Sequence, residues 1–259
     1  MCLVVFSYKK HLNYKLIIAA NRDEFYHRPT QPADFWHDSP NLLGGRDLEA
    51  NGTWMGVTTE GKVSLLTNYR DLRNLKQNTP SRGHLVSDFL KQEELPKTYL
   101  EKLHNISDTY NGFNLVVGNQ DDLWYYSNEN KRITMLGSGL YGLSNALIDT
   151  PWPKLIRAKN KIGDAFNDDF INADKVLDAL FDDLRASDDQ LPDTGIGFEK
   201  EKMLSSIFIK SPDYGTRCST LVTVDQNDNL NFHERTYDLK TFAYSTRLFE
   251  FRLNSRVRG

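Results

Sequence analysis

The chain has 259 residues, of which 39% are hydrophobic and 26% are charged, with a formal net charge of −3 at pH 7. This composition is typical of a folded protein with a substantial core, and it excludes a disordered chain. It also offers no basic surface for nucleic acid, and no apolar run approaches the roughly 20 residues that span a bilayer.

Targeting signals and cysteine usage point to the cytoplasm. The opening apolar run, 3–6, is too short for the hydrophobic part of a signal peptide, and no basic segment precedes it. The two cysteines, Cys2 and Cys218, are too few for a disulfide framework. We therefore expect a cytoplasmic protein without integral membrane association. The six histidines show no spacing typical of zinc sites, so we expect no metal.

The N-terminal stretch predicts a β-hairpin. Two apolar runs rich in β-branched residues, 1–6 and 16–24, flank a polar segment, which is the pattern of paired strands. This pairing brings Cys2 beside Arg22 and Asp23.

The hairpin gives Cys2 a possible chemical role. Removal of Met1, which a small second residue permits, makes Cys2 the N-terminus with a nucleophilic thiol. The same residue then carries an α-amine whose pKa of about 7.7–8.0 suits a general base. Arg22 is expected to lower the thiol pKa by favouring thiolate. The alternative interpretation is that Cys2 is a small buried hydrophobe in a strand.

Segment 25–43 carries Pro29, Pro32 and Pro40 among several aromatic residues, and it predicts an ordered irregular loop of the kind that walls a pocket. A second hairpin follows, with strands at 54–58 and 62–67. Polar residues end its second strand, and polar strand ends often present functional side chains.

The remaining pattern alternates between helical and extended periods. It predicts a helix capped by Ser81 that buries Leu85, Val86, Phe89 and Leu90, then a second helix from Pro96 towards Leu103. It next predicts strands at 112–118, 123–127 and in short pieces over 132–143, a helix after Pro153 and another over 176–184. It ends with a loop at 186–199, a brief helix or turn at 203–208, and strands at 214–225, 230–236 and 247–253.

The order strands, helices, strands, helices, strands favours an α+β fold. Consecutive hairpins and two groups of helices pack most economically as two mostly antiparallel sheets face to face, each covered outside by helices. We therefore predict one domain, 1–259, built as a four-layer αββα sandwich. The alternative is two α+β domains divided near residue 150, which requires the C-terminal strands to form a separate sheet.

Six ordered motifs resemble the NRDE family, whose eukaryotic members are called transport and Golgi organisation protein 2. They lie at positions 1–2, 20–24 (including Asn21-Arg22-Asp23-Glu24), 52–56, 67–70, 142–145 and 214–217. The resemblance covers essentially the whole chain.

More distantly, the layout is similar to the N-terminal-nucleophile hydrolases of the choloylglycine hydrolase and penicillin V acylase group. The residues that this similarity implies for catalysis are Cys2 as nucleophile with Arg22, Asp23, Asn68, Asn145 and Arg217. In that group two residues separate the first arginine from the aspartate, whereas here Arg22 and Asp23 are adjacent and should face opposite sides of a strand. Either the strand bulges at Arg22, or Glu24 or Asn21 replaces the aspartate.

This similarity implies an amidohydrolase or acyltransferase that acts through Cys2 on a non-peptide amide or a thioester, without a cofactor. Asn68 and Asn145 are then expected to stabilise the oxyanion, and the two arginines to hold the thiolate or a substrate carboxylate. Taken singly, each of these residues also fits an ordinary strand-end or surface position. The residues expected to contact a small acyl or apolar substrate are Asn21, Glu24, Phe25, Tyr26, Trp36, Trp54 and Tyr69.

A non-catalytic haem- or lipid-binding trafficking protein on the same fold is the alternative that the family resemblance leaves open. It would use Phe25, Tyr26, Phe35 and Trp36 as an apolar wall. His27 or His37 would then be the candidate haem ligands.

Overall fold

The computed structural model describes residues 2–254, which form antiparallel strands and five α-helices. The strands are β1 (Cys2–Tyr8), β2 (Tyr14–Phe25), β3 (Thr30–Trp36), β4 (Ser39–Asp47), β5 (Met55–Thr58), β6 (Val63–Asn68), β7 (Phe113–Gly118), β8 (Leu123–Ser127), β9 (Arg132–Met135), β10 (Gly139–Leu143), β11 (Tyr214–Asp225), β12 (Asn229–Tyr237) and β13 (Tyr244–Arg252). The helices are α1 (Gly83–Lys91), α2 (Pro96–Ile106), α3 (Pro153–Ala165), α4 (Ala173–Leu180) and α5 (Phe198–Met203).

The strands form a six-stranded sheet in the order β10-β1-β2-β11-β12-β13 and a seven-stranded sheet in the order β3 to β9. Alternation along β1 shows how the layers arise. Val4 and Phe6 face the other sheet in the central core, whereas Leu3 and Val5 pack under α3 and α4. Helices α1 and α2 cover the second sheet in the same way. The predicted four-layer αββα sandwich is confirmed.

Helical periodicity correctly located the covering helices because their apolar residues recur on one face. In α1, Leu85, Val86, Phe89 and Leu90 are all buried, and burial stabilises each such side chain by about 1.5–3 kcal/mol relative to exposure. Among the helices of the described chain, none combines the length and apolar character that a bilayer span requires.

The prediction of an irregular loop over 25–43 is wrong, because β3 and β4 occupy most of it. Strand β3 is the edge of its sheet, and its pairing register shifts between Gln31 and Asp34. Pro32 lies inside that irregularity. A missing backbone N–H is tolerated at an edge or a bulge, so proline did not exclude a strand here.

Two predicted helix ends are also wrong. Helix α1 begins at Gly83, with Arg82 rather than Ser81 in the capping position and no side-chain cap bond. Helix α4 ends at Leu180 instead of continuing to 184. The carbonyl of Leu180 accepts a hydrogen bond of 3.0 Å from the buried side chain of Asn21, a tertiary contact that periodicity does not report.

Another difference concerns segment 186–199, predicted as loop, and the helix or turn predicted at 203–208. A short 3-10 helix occupies Asp188–Gln190, and α5 begins at Phe198 within the predicted loop. It ends at Met203, where the predicted helix was to start.

Long-range pairing places the C-terminal strands. Strand β11 pairs with β2, and β10 pairs with the other edge of β1. The C-terminal strands therefore share a sheet with the N-terminal hairpin. Two domains divided near residue 150 would instead need a separate C-terminal sheet.

Candidate active site

The predicted pairing of Cys2 with Arg22 is present in the register of β1 and β2, and Arg22 in turn pairs with Cys218 of β11. Directly paired residues of antiparallel strands project from the same face, so both cysteines flank Arg22. Two strand spacings separate them by about 10 Å, beyond the roughly 7 Å limit between the Cα atoms of a disulfide. Both thiols are free.

Cys2 borders a cavity of about 350 Å³ at the ends of these central strands. The predicted site residues that line it are Cys2, Arg22, Asp23, Glu24, Trp54 and Asn68. Residues that sequence reasoning did not assign to the site also line it, among them Arg28, Asp47, Glu49, Thr53 and Arg82. The structure thus brings six of the predicted residues to one cavity with a strongly charged lining.

Arg22 is fixed from several sides. Its guanidinium lies 4.1 Å from the ring centroid of Trp54, donates to Thr30 Oγ1 at 2.9 Å and lies 3.6 Å from Asp47. Gly45 supports this stack, since a Cβ there would meet the Trp54 ring at 2.1 Å. Close backbone approach therefore sets the position of the arginine beside Cys2.

Asp23 lies on the other face of β2, towards the layer of α3 and α4, and is 1% exposed. Its carboxylate accepts a hydrogen bond of 2.7 Å from Thr216 Oγ1. The register shift occurs in β11, between Thr216 and Cys218, so Arg217 is the extra residue. The bulge therefore lies opposite Arg22 and Asp23 rather than in β2 itself. Both residues still reach the cavity because it surrounds the strand end.

Arg217 lies outside the lining of this cavity. Its Nη1 donates to the carbonyl oxygens of Phe25, Tyr26 and Arg28, at 2.8, 3.3 and 2.6 Å. The bulge projects this guanidinium towards the turn that joins β2 to β3. The contacts support a role in fixing that turn, next to the cavity.

The two predicted asparagines occupy different positions. Asn68 lines the cavity, and within the described residues its side-chain amide has no hydrogen-bond partner. Asn145 is fully buried, donates through Nδ2 to the Asn68 carbonyl at 3.0 Å and borders a separate cavity with Tyr69. Asn68 therefore borders the cavity, whereas Asn145 holds the Asn68 backbone from outside the cavity lining.

The other predicted contact residues lie away from the Cys2 cavity. Asn21 donates to the carbonyls of Leu180 and Ile207 under the helical layer. Trp36 is buried in the core and donates to the Gly44 carbonyl. Phe25 is exposed and packs against Tyr214 and His27, and Tyr26 bonds Asp213 through its backbone N–H.

The predicted haem-binding surface is likewise dispersed. Phe35 packs against Phe249 and Phe251 rather than against Trp36. Both His27 and His37 are exposed, and neither borders the cavity beside Cys2. Phe35 and Trp36 therefore lie apart, while Phe25 packs against His27.

The prediction of a depressed thiol pKa is wrong for the described structure. Cys2 is 8% exposed, and burial raises the pKa of its thiol; the opposing influence of Arg22 is smaller. Desolvation disfavours the charged thiolate more than the arginine favours it. Cys2 is therefore held as a neutral thiol and needs a proton acceptor to react. The predicted removal of Met1 concerns a residue outside the described part of the chain.

Lys154, which sequence reasoning missed, contacts Asn145 and lines a cavity separate from the one that contains Cys2. It is 3% exposed, and its Nζ donates to Asn145 Oδ1 at 3.3 Å. Burial lowers its pKa to about 8, while Asp23 and Cys2 act in the opposite direction. A lysine in the first turn of a helix normally suggests an exposed position, so only its proximity to Pro153 was visible in the sequence.

The charge of Asp23 gives a prediction for stability. Burial raises the pKa of Asp23 to about 6, above the unfolded value of about 3.9. The folded chain therefore binds this proton more tightly, and stability falls as the pH rises from about 4 to about 6. Asp23→Asn keeps an oxygen for Thr216 and removes the charge. We expect it to raise the free energy of unfolding by roughly 2–3 kcal/mol at pH 7 and hardly at all near pH 4.

Urea unfolding of both proteins at the two pH values measures this difference. Asp169→Asn, at an exposed aspartate, is the matched control and should leave stability within about 0.5 kcal/mol. If Asp23→Asn raised the free energy of unfolding equally at both pH values, the gain at pH 7 would not come from removing a buried negative charge.

Comparisons with known proteins agree with this geometry at the level of fold and family. A structure of the C2A mutant of conjugated bile acid hydrolase from Clostridium perfringens superposes with a TM-score of 0.50 at 10% identity, covering 98% of this chain and 97% of that one. At this identity the likeness shows the fold alone.

Sequence relatives are far closer. The Transport and Golgi organization 2 homolog of Mus musculus is 36% identical over 277 residues, covering 98% of this chain and all of the relative. The Drosophila melanogaster protein of that name is 26% identical over 261 residues, covering 91% of this chain and 92% of the relative. Residues 1–239 match the family described as Transport and Golgi organisation 2. The chain therefore belongs to the Transport and Golgi organisation 2 family.

Proposed function

We propose that this protein is a cysteine N-terminal-nucleophile enzyme, an amidohydrolase or acyltransferase that acts on a non-peptide amide or a thioester. The observation that carries the proposal is the placement of Cys2 at the start of a central strand, bordering a cavity with Arg22, Asp23 and Asn68. The αββα fold, shared with a bile acid hydrolase, supports it. The chemistry uses no cofactor.

Because burial raises the pKa of the Cys2 thiol, the mechanism needs a base that accepts the thiol proton. Once Met1 is removed, the α-amine of Cys2 takes the thiol proton while the sulfur attacks the substrate carbonyl carbon. A C–S bond forms and the carbonyl electron pair moves to oxygen. Collapse of this intermediate breaks the bond to the amine or thiol leaving group, which takes the proton from the ammonium. Water, or an acceptor amine in a transferase, then releases the acyl group from sulfur.

Asn68 is the best-placed donor for the oxyanion of this intermediate. Its side-chain amide borders the same cavity as Cys2, and Asn145 holds the Asn68 backbone from behind. A preorganised donor of this kind is typically worth about 3–4 kcal/mol in the transition state. Asn145, which donates elsewhere and is fully buried, is assigned a supporting role.

The lining of the cavity limits the substrate. Apart from Trp54, Leu66 and Pro80, most of its side chains are polar or charged, and a volume of about 350 Å³ is at the small end for ligand pockets. We therefore expect a short or polar acyl group rather than a long apolar chain. Two of the charges, Arg28 and Asp47, already pair at 2.5 Å.

The direct test combines an intact mass with a substrate screen. We expect the purified protein to be lighter than the full sequence by one methionine residue. The processed protein should hydrolyse members of a panel of short acyl amides and acyl thioesters. Cys2→Ala and Cys2→Ser should remove that activity. Retention of Met1 in active protein, or turnover that survives both substitutions, would contradict the proposal.

A further inference from the structure

Arg82 lies in the wall of the Cys2 cavity and differs from the two other arginines there in its pairing. The carboxylate of Asp47 lies 2.5 Å from Arg28 Nε and 3.6 Å from Arg22 Nη2, and Glu49 lies 3.1 Å from Arg28 Nη1. Among residues 2–254, no carboxylate forms an ion pair with Arg82, whose one hydrogen bond goes to a backbone carbonyl. Its positive charge is therefore not neutralised by direct contact.

That hydrogen bond fixes the Arg82 guanidinium beside the end of β6. Arg82 Nη1 donates to the Gly112 carbonyl at 2.8 Å, and the backbone N–H of Tyr69 donates to the same carbonyl at 2.9 Å. Tyr69 directly follows Asn68, which borders the cavity with Cys2. The guanidinium therefore lies beside the peptide that joins Asn68 to Tyr69, next to the proposed oxyanion donor.

The remaining donors of the Arg82 guanidinium are accessible. Its Nε and Nη2 form no hydrogen bond within the described part of the chain, and neither is among the buried polar atoms that lack a partner. Both nitrogens are therefore in contact with solvent. A guanidinium carries five N–H donors in a planar fork, and such a fork binds a carboxylate through short, charge-assisted hydrogen bonds.

The carboxylates of the cavity wall do not take the place of such a ligand. Asp47 and Glu49 are already paired, and Asp23 faces the helical layer. The charge of Glu24 acts on Arg82 through space, with no ion pair between them in the described structure. Glu24 is partly exposed, so water screens its repulsion of an anion, whereas a ligand carboxylate would contact the guanidinium directly.

We propose that Arg82 determines specificity by binding a carboxylate of the substrate, so that the favoured substrates are acidic amides or thioesters. This inference rests on the proposed function for the reaction, but the binding of an acidic ligand needs no turnover. Because Arg82 is anchored beside Asn68 and the cavity measures only about 350 Å³, the carboxylate lies within a few bonds of the scissile carbonyl. Either the acyl group or the leaving group can carry it.

The experiment measures binding by isothermal titration calorimetry at low ionic strength, with Cys2→Ala protein, which cannot form an acyl-enzyme. Two pairs of probes differ in charge but hardly in shape. Succinamate and succinamide carry the difference on the acyl side, whereas N-acetylglycine and N-acetylglycinamide carry it on the leaving-group side. We expect the acid of at least one pair to bind about tenfold more tightly than its amide.

Three further substitutions in the Cys2→Ala protein locate the preference for the acid. Arg82→Met should remove it, and Arg82→Lys should keep only part of it, because lysine retains the charge but loses the planar fork. Arg132→Met is the matched control, at an exposed arginine outside the cavity wall, and should leave the preference unchanged.

Equal affinities for acid and amide in both pairs, or a full preference in Arg82→Met, would overturn the inference. If Arg82→Met does not fold, an unchanged preference in Arg82→Lys has the same consequence. A preference for the acid without turnover by native protein would contradict the proposed function alone. Turnover without such a preference would contradict this inference alone.

Discussion

An N-terminal extension that cannot be removed should abolish turnover as completely as loss of the Cys2 thiol. The extended protein keeps the thiol, Arg22 and Asn68, but its Cys2 nitrogen becomes an amide that cannot accept a proton. Since burial already holds the thiol neutral, nothing remains on that residue to deprotonate it. We expect kcat/KM to fall at least about 10³-fold, or about 4 kcal/mol in transition-state stabilisation.

The comparison uses four proteins on the substrates found in the screen. The processed native protein sets the reference, and the extended form and Cys2→Ala should both show the large loss. Cys218→Ser is the matched control, because Cys218 pairs with the other side of Arg22 and lies outside the lining of the Cys2 cavity. It should stay within about threefold of native activity, under 1 kcal/mol. An extended form that matches the processed form would exclude the α-amine as base.

The buried ion pair between Arg70 and Glu201 should have the largest effect on stability. Arg70 Nη2 lies 3.0 Å from Glu201 Oε2, with side chains 3% and 4% exposed, and Arg70 also stacks over Trp152. Glu201 Oε1 accepts two further bonds from Thr194. Arg70→Met leaves the carboxylate buried without its cation, so we expect the free energy of unfolding to fall by about 3–5 kcal/mol.

Two further variants separate charge from packing. Arg70→Met combined with Glu201→Gln removes the uncompensated charge and keeps acceptors for Thr194, so it should recover much of the loss. Lys97→Met breaks the exposed pair of Lys97 with Glu101 and should cost less than about 1 kcal/mol. Urea unfolding near pH 7 measures all of them. If Arg70→Met cost no more than Lys97→Met, the pair would not be structurally important.

Sequence patterns were sufficient for the layers of the fold. The apolar runs of β1 and β2 and the helical faces of α1 and α4 depend only on which residues must leave water. The same patterns predicted the pairing of Cys2 with Arg22. The motif resemblance predicted the family, which the comparisons confirm.

Local pattern failed where a distant contact decided the local structure. Prolines in 25–43 suggested a loop, yet pairing with β4 makes β3 an edge strand. Helix α4 stops where Asn21, 159 residues away in sequence, donates to its last carbonyl. In both cases the local preference is weaker than the tertiary hydrogen bonds that satisfy the backbone.

Some features of the site could likewise be predicted from the sequence, whereas others became visible only in the tertiary structure. The hairpin pattern in the sequence predicted Cys2 beside Arg22 and Asp23, and the family resemblance added Asn68. Only the tertiary structure decided that Arg217 bulges towards a turn, that Asn145 lies outside the lining of the Cys2 cavity, and that Lys154 is buried beside Asn145. It also decided that the pKa of Cys2 is raised. The physical reason is that solvation and charge interactions depend on distances in space between residues such as Asp23 and Thr216, 193 positions apart, which no sequence period encodes.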